Sequence, residues 1–405
     1  MILTNKPGLL LFYLAAVLLF AACSSTPDKP ANTIASPSES EPQPKLGPAI
    51  PAKADDTVQL YPTEFAYLPG WHQDNHALAF SSFKRSCQSW QKQADEQPLS
   101  GIFELGQIGD WKKLCAIPVA RGHEKQFFEK WFKPYAVADD NSFEGLFTGY
   151  YLPELHGSYQ KTSRYRFPVY GIPRDLIKRD GQIGRLSQGQ FVPYYGRTEI
   201  TAGALNGKHA ELLWVDDDID AFFMEIQGSG RVIMPDGQVQ GLSFAGKNGR
   251  AYYAIGKTLV DNGEIPREQI SMQTIRAWID SHPEEGRQLM LKNQSVVFFR
   301  LSAVKPSEGP VGSMNAPLTA GYSLAVDRDY LPMGIPLWLD AEHPQGKPRI
   351  RRLVMAQDTG GAINGVIRGD VYWGQGQTAA ELAGLMKSKG RFYLLVPKHI
   401  AAGLG

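Results

Sequence analysis

The chain has 405 residues, of which 43% are apolar, 11% aromatic and only 20% charged, and its formal net charge is +1. That balance excludes a disordered polyelectrolyte and lacks the basic surplus of a nucleic-acid binder. Three cysteines are too few for a disulfide scaffold or a Cys-rich zinc module. The length suggests about two or three domains, and 41 glycines with 28 prolines favour strands and turns over a helical bundle.

At the N-terminus one cation, Lys6, precedes an apolar run from Leu9 to Ala22, the layout of a secretory signal over residues 1–22. The run is short for a membrane span of about 20 residues. It ends in Phe20-Ala21-Ala22-Cys23, which resembles the bacterial lipoprotein box, with Phe20 where leucine is usual. That resemblance implies cleavage before Cys23 and its acylation. Ser24, in place of an aspartate, implies the periplasmic face of the outer membrane. Residues 23–54 are rich in Pro, Ser and Ala and read as a disordered tether, because they offer too little apolar surface to offset ordering. Cys87 and Cys115 remain in an oxidising compartment and are candidates for a disulfide.

Asp74 reads as the N-cap of a helix carrying Leu78, Phe83, Cys87 and Trp90, with Lys84 on its exposed face. A second amphipathic segment, HEKQFFEKWFKPYAV, stops near Pro134. From Phe143 to Val239 short aromatic and β-branched runs alternate with turn residues, as in LFTGYYLPEL, FVPYYGRTEI and AFFMEIQGSGRVIMPDG, the pattern of an all-β region. Helices are expected over Ala251–Val260 and from Ser271 onward. A second strand-dense block then runs from SVVFFRLSAV to FYLLVPK, interrupted by a helix over Thr378–Lys389 that Gly390 ends.

Several short matches lead nowhere. His72 and His76 have zinc-ligand spacing but lack the intervening glutamate. Ser81-Ser82-Phe83-Lys84 matches S-x-x-K without its companion motifs. Gly374-Gln-Gly376 mimics a dinucleotide fingerprint with no βαβ continuation. No metal and no cofactor is expected. The informative stretch is RRLVMAQDTGGAINGVIRGDVYWGQGQ, in which Asp358 ends one strand-like run and Asp370 opens the next. Two carboxylates on adjacent strands can converge on one cleft, where a neighbouring charge or an apolar surround keeps one protonated as a general acid. Both aspartates also suit turn capping.

With these residues the chain resembles the membrane-bound lytic murein transglycosylase A family with its C-terminal three-aspartate domain. The resemblance runs from about Tyr61 to Lys398. It rests on eight blocks in order: GLFTGYYLPEL, YRFPVYGIP, VPYYGRTEI, FFMEIQGSGRVIMPDG, FAGKNGRAY, SVVFFR, GPVGSMNAPLTAGYSLAVDRDYLPMGIPLWL and AQDTGGAINGVIRGDVYWG. The three aspartates match Asp327, Asp358 and Asp370. The resemblance implies a mainly β fold. A double-psi β-barrel catalytic domain would take residues 55–156 and 289–400 with flanking helices, and an inserted second β-barrel-like domain residues 157–288. It implies cleavage of the β-1,4 bond between N-acetylmuramic acid and N-acetylglucosamine in peptidoglycan glycan strands, with formation of a 1,6-anhydromuramoyl end. Asp370 maps to the acid and later base, with Asp358 in support. Thr148, Tyr150, Tyr151, Gln227, Gly228, Ser229, Gly230 and Asp327 are the expected glycan-binding residues. Tyr151 also suits the core, Gly228 and Gly230 a tight turn, and Asp327 a loop cap. A non-catalytic peptidoglycan-binding lipoprotein and a two-carboxylate hydrolase are the alternatives. Cell-wall synthases are conceivable partners of such enzymes, but no partner motif is legible.

Overall fold

A computed structural model describes residues 45–404 apart from 53, 54, 56, 100 and 304–307. The signal segment and Cys23 therefore lie outside the described residues. The end of the expected tether does not: β1 (Ile50–Pro51) pairs antiparallel with β2 (Val58–Pro62). Gly47 N donates to Pro62 O at 2.8 Å, so a proline-rich segment is pinned by its few free amides.

Three helices follow, α1 (His76–Trp90), α2 (Ile108–Cys115) and α3 (Glu124–Trp131). Asp74 does not cap α1. Its carboxylate accepts from Leu353 N at 2.9 Å, and Asn75 occupies the cap position. Leu78 is exposed, and Lys84 is half-buried with its Nζ donating to Cys115 O at 2.7 Å. Cys87 of α1 and Cys115 of α2 form a disulfide, their Cα atoms 5.6 Å apart. Helix α3 ends at Trp131, and Pro134 lies inside β3 (Phe132–Asp139), which β4 (Gly145–Leu152) follows.

The middle of the chain supplies β5 (Glu154–Ser158), β6 (Phe167–Tyr170), β7 (Ile177–Arg179), β8 (Gln182–Ser187) and β9 (Gln190–Pro193). After the single turn α4 (Arg197–Glu199) come β10 (Glu211–Val215), α5 (Asp218–Gln227), β11 (Ser229–Ile233) and β12 (Val239–Lys247). The run AFFMEIQ, expected as strand, is therefore helical. Asp217 caps it by accepting from Ile219 N and Asp220 N at 2.9 and 2.8 Å, and left-handed Gly228 ends it. Capping and burial of Phe222, Phe223 and Met224 outweigh the β-propensity of the aromatics. Helix α6 (Gly256–Asp261) is shorter than expected, while α7 (Met272–Ser281) has the anticipated Ser271 cap. Then come α8 (Pro283–Leu291) and β13 (Val297–Ser302). One six-stranded sheet runs β13-β12-β11-β5-β10-β6, and β7-β8-β9 form another, so the larger sheet extends past both ends of 157–288.

The C-terminal block supplies β14 (Ser323–Val326), β15 (Pro336–Ala341), β16 (Ile350–Asp358), β17 (Arg368–Gln375), α9 (Gln377–Leu385) and β18 (Lys387–Pro397). Gly390 lies within β18 and does not end the helix. The segment from Lys387 to Gly390 pairs with β4, and a Cβ on Gly390 would meet Ala341 Cβ at 2.6 Å. The main sheet runs β1-β2-β3-β18-β15-β16-β14-β17-β4, and β4 also pairs with β18. Six strands therefore close on themselves as a barrel without free edges. Strands β14 and β15 are buried at every position, which is why they read as continuous apolar runs.

Helix α1 packs on β16 through a polar contact within an aromatic core. Buried Gln357 accepts from Ser82 Oγ at 3.0 Å and Ser323 Oγ at 2.6 Å, and donates to Ser82 O and Ser86 Oγ at 2.8 and 2.9 Å. All its capacity is used, directly before Asp358. Gln357→Ala strands these partners and should destabilise the fold by about 3 kcal/mol, read as a lower denaturant midpoint.

Candidate active site

The barrel register brings the two carboxylates together. On β14, Ala325 is paired with Asp358 of parallel β16 on one side and with Asp370 of antiparallel β17 on the other. The next strand, β4, runs parallel to β17 and sets Thr148 beside Asp370. Asp358 and Asp370 thus stand two interstrand spacings apart, about 10 Å at the backbone, across one small alanine.

Their surroundings are opposite. Asp358 Oδ1 accepts from Ser313 N at 2.9 Å, Ser313 Oγ at 2.7 Å and Thr359 N at 3.0 Å, and Oδ2 accepts from the Tyr150 hydroxyl at 2.9 Å. Four donors match the capacity of a carboxylate. Asp370 receives one hydrogen bond among the described residues, from Thr148 Oγ1 to Oδ1 at 2.7 Å. Burial pushes Asp370 up to about 6, with the Asp358 charge adding to it against the Thr148 bond and Arg368. Burial and the adjacent Asp358 also raise the Tyr150 phenol, which keeps it a neutral donor.

The other expected residues divide. Asp327 does not reach the carboxylate pair. It accepts from Gly365 N at 2.8 Å and Asp329 N at 3.1 Å, and so ties down the glycine-rich loop between Asp358 and Asp370. Tyr151 N donates to Gln227 Oε1 at 3.1 Å, joining β4 to α5. Gly228 holds a φ of 74°, and a Cβ on Gly230 would lie 2.5 Å from Met224 Sδ, so both serve the turn out of α5. Ser229 starts β11 opposite Ser243. Thr148 and Gln227 line a cavity of about 570 Å³ between β4, α9 and the helices α5, α6 and α7. Its walls are largely apolar, including Phe223, Ile255 and Met272, with Lys257, Arg267 and Lys387 among its lining residues.

Two residues of the cluster were missed. Ser313 is 45 positions from Asp358, and nothing in the sequence joins them. Arg368 was within reach, since it lies two residues before Asp370 on one strand and shares its face. Its Nη2 donates to Thr148 Oγ1 at 2.9 Å.

Comparison with known proteins agrees with this architecture. A family model described as the MltA specific insert domain matches residues 146–300, and a 3D domain model matches residues 322–396. A membrane-bound lytic murein transglycosylase A of Escherichia coli K12 is 36% identical over 263 residues, covering 63% of this chain and 67% of that protein. The crystal structure of MltA from Neisseria gonorrhoeae superposes with a TM-score of 0.73 at 32% identity, over 89% of this chain and 98% of that one. An Escherichia coli MltA with bound chitohexaose superposes at 0.61 with 27% identity, over 88% and 97%.

The raised value at Asp370 has a stability consequence. Its ordinary value is 3.8, so the folded chain holds this proton more tightly than the unfolded chain does. Ionisation in place therefore costs stability, beginning above pH about 4 and complete above about 7. Asp370→Asn should be more stable than the wild type by about 3 kcal/mol at pH 8 and equal to it near pH 4, measured by urea denaturation across that range.

Proposed function

Since the chain belongs to the family of membrane-bound lytic murein transglycosylase A, we propose that it cleaves the β-1,4 bond between N-acetylmuramic acid and N-acetylglucosamine in peptidoglycan without consuming water. Asp370 acts first as acid and then as base. The observation that carries this reading is the inequality of the two carboxylates. Asp370 keeps its proton to about pH 6, whereas Asp358 spends its capacity on four protein donors. A two-carboxylate hydrolase needs a second group free to hold water or attack carbon, and Asp358 has no such freedom.

Asp370 donates its proton to the glycosidic oxygen as the bond from C1 of the muramic acid to that oxygen breaks. The ring passes through an oxocarbenium-like state. The C6 hydroxyl of the same sugar then bonds to C1, and its proton returns to the Asp370 carboxylate. An internal nucleophile brings an effective concentration that water lacks, of order 10⁵ M or more in well-oriented cases. Asp358 supports the acid through its fixed negative charge, which favours the protonated form. Thr148, Gln227 and the cavity they line offer polar contacts and apolar walls to N-acetyl sugars. Chitohexaose, bound in the Escherichia coli relative, has that chemistry. Residues 157–288 form the second wall of the groove in this reading.

We also propose that Cys23 is acylated and holds the enzyme to the periplasmic face of the outer membrane. The lipoprotein-box resemblance at residues 20–23 supports this, as does the membrane-bound description carried by the relatives. Among the described residues no helix is long and apolar enough to cross a membrane.

Two measurements test these proposals. Mass spectrometry of digested sacculi should show ends 18 mass units below the hydrated sugar, by loss of water. Asp370→Asn should cut the rate by about 10³-fold or more with folding intact. Reducing ends alone, or a near wild-type rate in the variant, would sink the mechanism. For the anchor, Cys23→Ala should move activity from the membrane to the soluble fraction and abolish acyl labelling, and retention of the label in that variant would refute it.

A further inference from the structure

Arg368 is wired to the acid through a hydroxyl that has one proton to give. Its Nη2 donates to Thr148 Oγ1 at 2.9 Å, and Thr148 Oγ1 lies 2.7 Å from Asp370 Oδ1. Its Nη1 bonds the carbonyls of Gly369 on β17 and Leu146 on β4, which anchors the guanidinium to the backbone of both strands. Arginine carries donors only, whereas a threonine hydroxyl donates once and can also accept. Arg368 fills one of the two lone pairs of Thr148 Oγ1, and the single Thr148 proton is given to Asp370 Oδ1. Receiving that bond favours Oδ1 as the carbonyl oxygen of the neutral acid, since a carboxyl accepts better at its carbonyl than at its hydroxyl oxygen.

The neutral acid therefore carries its proton on Oδ2. Among the described residues no hydrogen bond reaches Oδ2, and Asp370 is only partly buried. We propose that Arg368 is a positioning residue that acts through Thr148 to hold the catalytic proton on Asp370 Oδ2, the oxygen that no described residue engages. This rests on Asp370 being the acid.

The charged and titratable groups facing Asp370 are few. Arg368 lies on its own strand, Asp358 on β16, and the neutral Tyr150 phenol on β4 bonds Asp358. Exposed Lys387 on β18 pairs with Thr148 from the other side of β4. Arg368 is the cation that holds the Asp370 carboxylate down against burial, so its removal has a definite sign. The acid stays protonated to higher pH, and the alkaline limb of the rate profile moves up. At the same time the Thr148 hydroxyl loses the donor that orients it, and the proton spreads over both oxygens.

The test measures kcat and KM on purified sacculi from pH 4 to 9, using the full-length protein. Arg368→Met should lower kcat about tenfold at nearly constant KM and raise the alkaline limb by about one unit. Arg368→Lys, which keeps a cationic donor, should restore most of both. Thr148→Val, close to isosteric, should reproduce the kcat loss, and adding Arg368→Met to it should cost little more, since one chain of bonds is being cut twice. A loss confined to KM, an unmoved alkaline limb, or fully additive losses would overturn the relay. If Arg368→Met does not fold, an unchanged kcat in Thr148→Val overturns it alone. Activity persisting in Asp370→Asn defeats the acid assignment itself. An inactive Asp370→Asn beside an unaffected Arg368→Met defeats only the relay.

Discussion

The site depends on one parallel ladder, between β4 and β17. It joins residues 222 positions apart, Thr148 and Asp370, and everything between them must leave and return for the ladder to form. Parallel strands need a crossover connection, and here the whole second sheet lies within it. A register slip of one residue would turn Asp370 to the other face of its strand. Close packing guards against that slip. A Cβ on Gly145 would sit 1.8 Å from the Ile367 carbonyl, and one on Gly369 would meet Leu324 and Phe147 at 3.0 Å. The Leu146 amide closes the entry by donating to Ile367 O at 3.2 Å.

That ladder creates unequal neighbours from identical side chains. Asp358 sits at the end of its strand, where a following turn and the Ser313 loop supply amides and a hydroxyl. Asp370 sits inside its strand, where backbone donors are already committed to neighbouring strands and one hydroxyl is left for the side chain. Environment thus separates two carboxyls that are chemically alike, one held by four donors and the other by one.

How far the sequence could be read follows from the same contrast. Apolar strands ending or opening on Asp358 and Asp370 were legible, because a buried strand carrying a carboxylate is a local anomaly. Strand density in both halves of the chain likewise pointed to the β-rich parts. Helix α5 was misread because Phe222, Phe223 and Met224 look like strand, and the deciding signal, the Asp217 cap, lies outside the apolar run. The α9–β18 boundary was misread because Gly390 resembles a helix stop, and only the ladder with β4 reveals it as a strand residue. Ser313 was illegible in principle: its bond to Asp358 spans 45 residues and a loop without periodicity. Arg368 was legible by strand alternation alone, but its partner Thr148 was not, since pairing β4 with β17 is a tertiary fact.

Four consecutive residues of β4 tie the two carboxylates to the second sheet's layer. Thr148 meets Asp370, Gly149 gives way to the Trp373 ring, Tyr150 meets Asp358, and the Tyr151 amide meets Gln227 of α5. A Cβ at Gly149 would fall 2.6 Å from Trp373 Nε1, so α9 and β17 can approach only a glycine there. The strand that bonds Asp370 thus also bonds Asp358 and one helix of the second sheet's layer. Helix α5 is bonded to β4 three residues from Thr148. In the proposed mechanism one strand therefore sets both the cavity wall at Thr148 and the proton on Asp370, which suits a reaction whose nucleophile is the substrate itself.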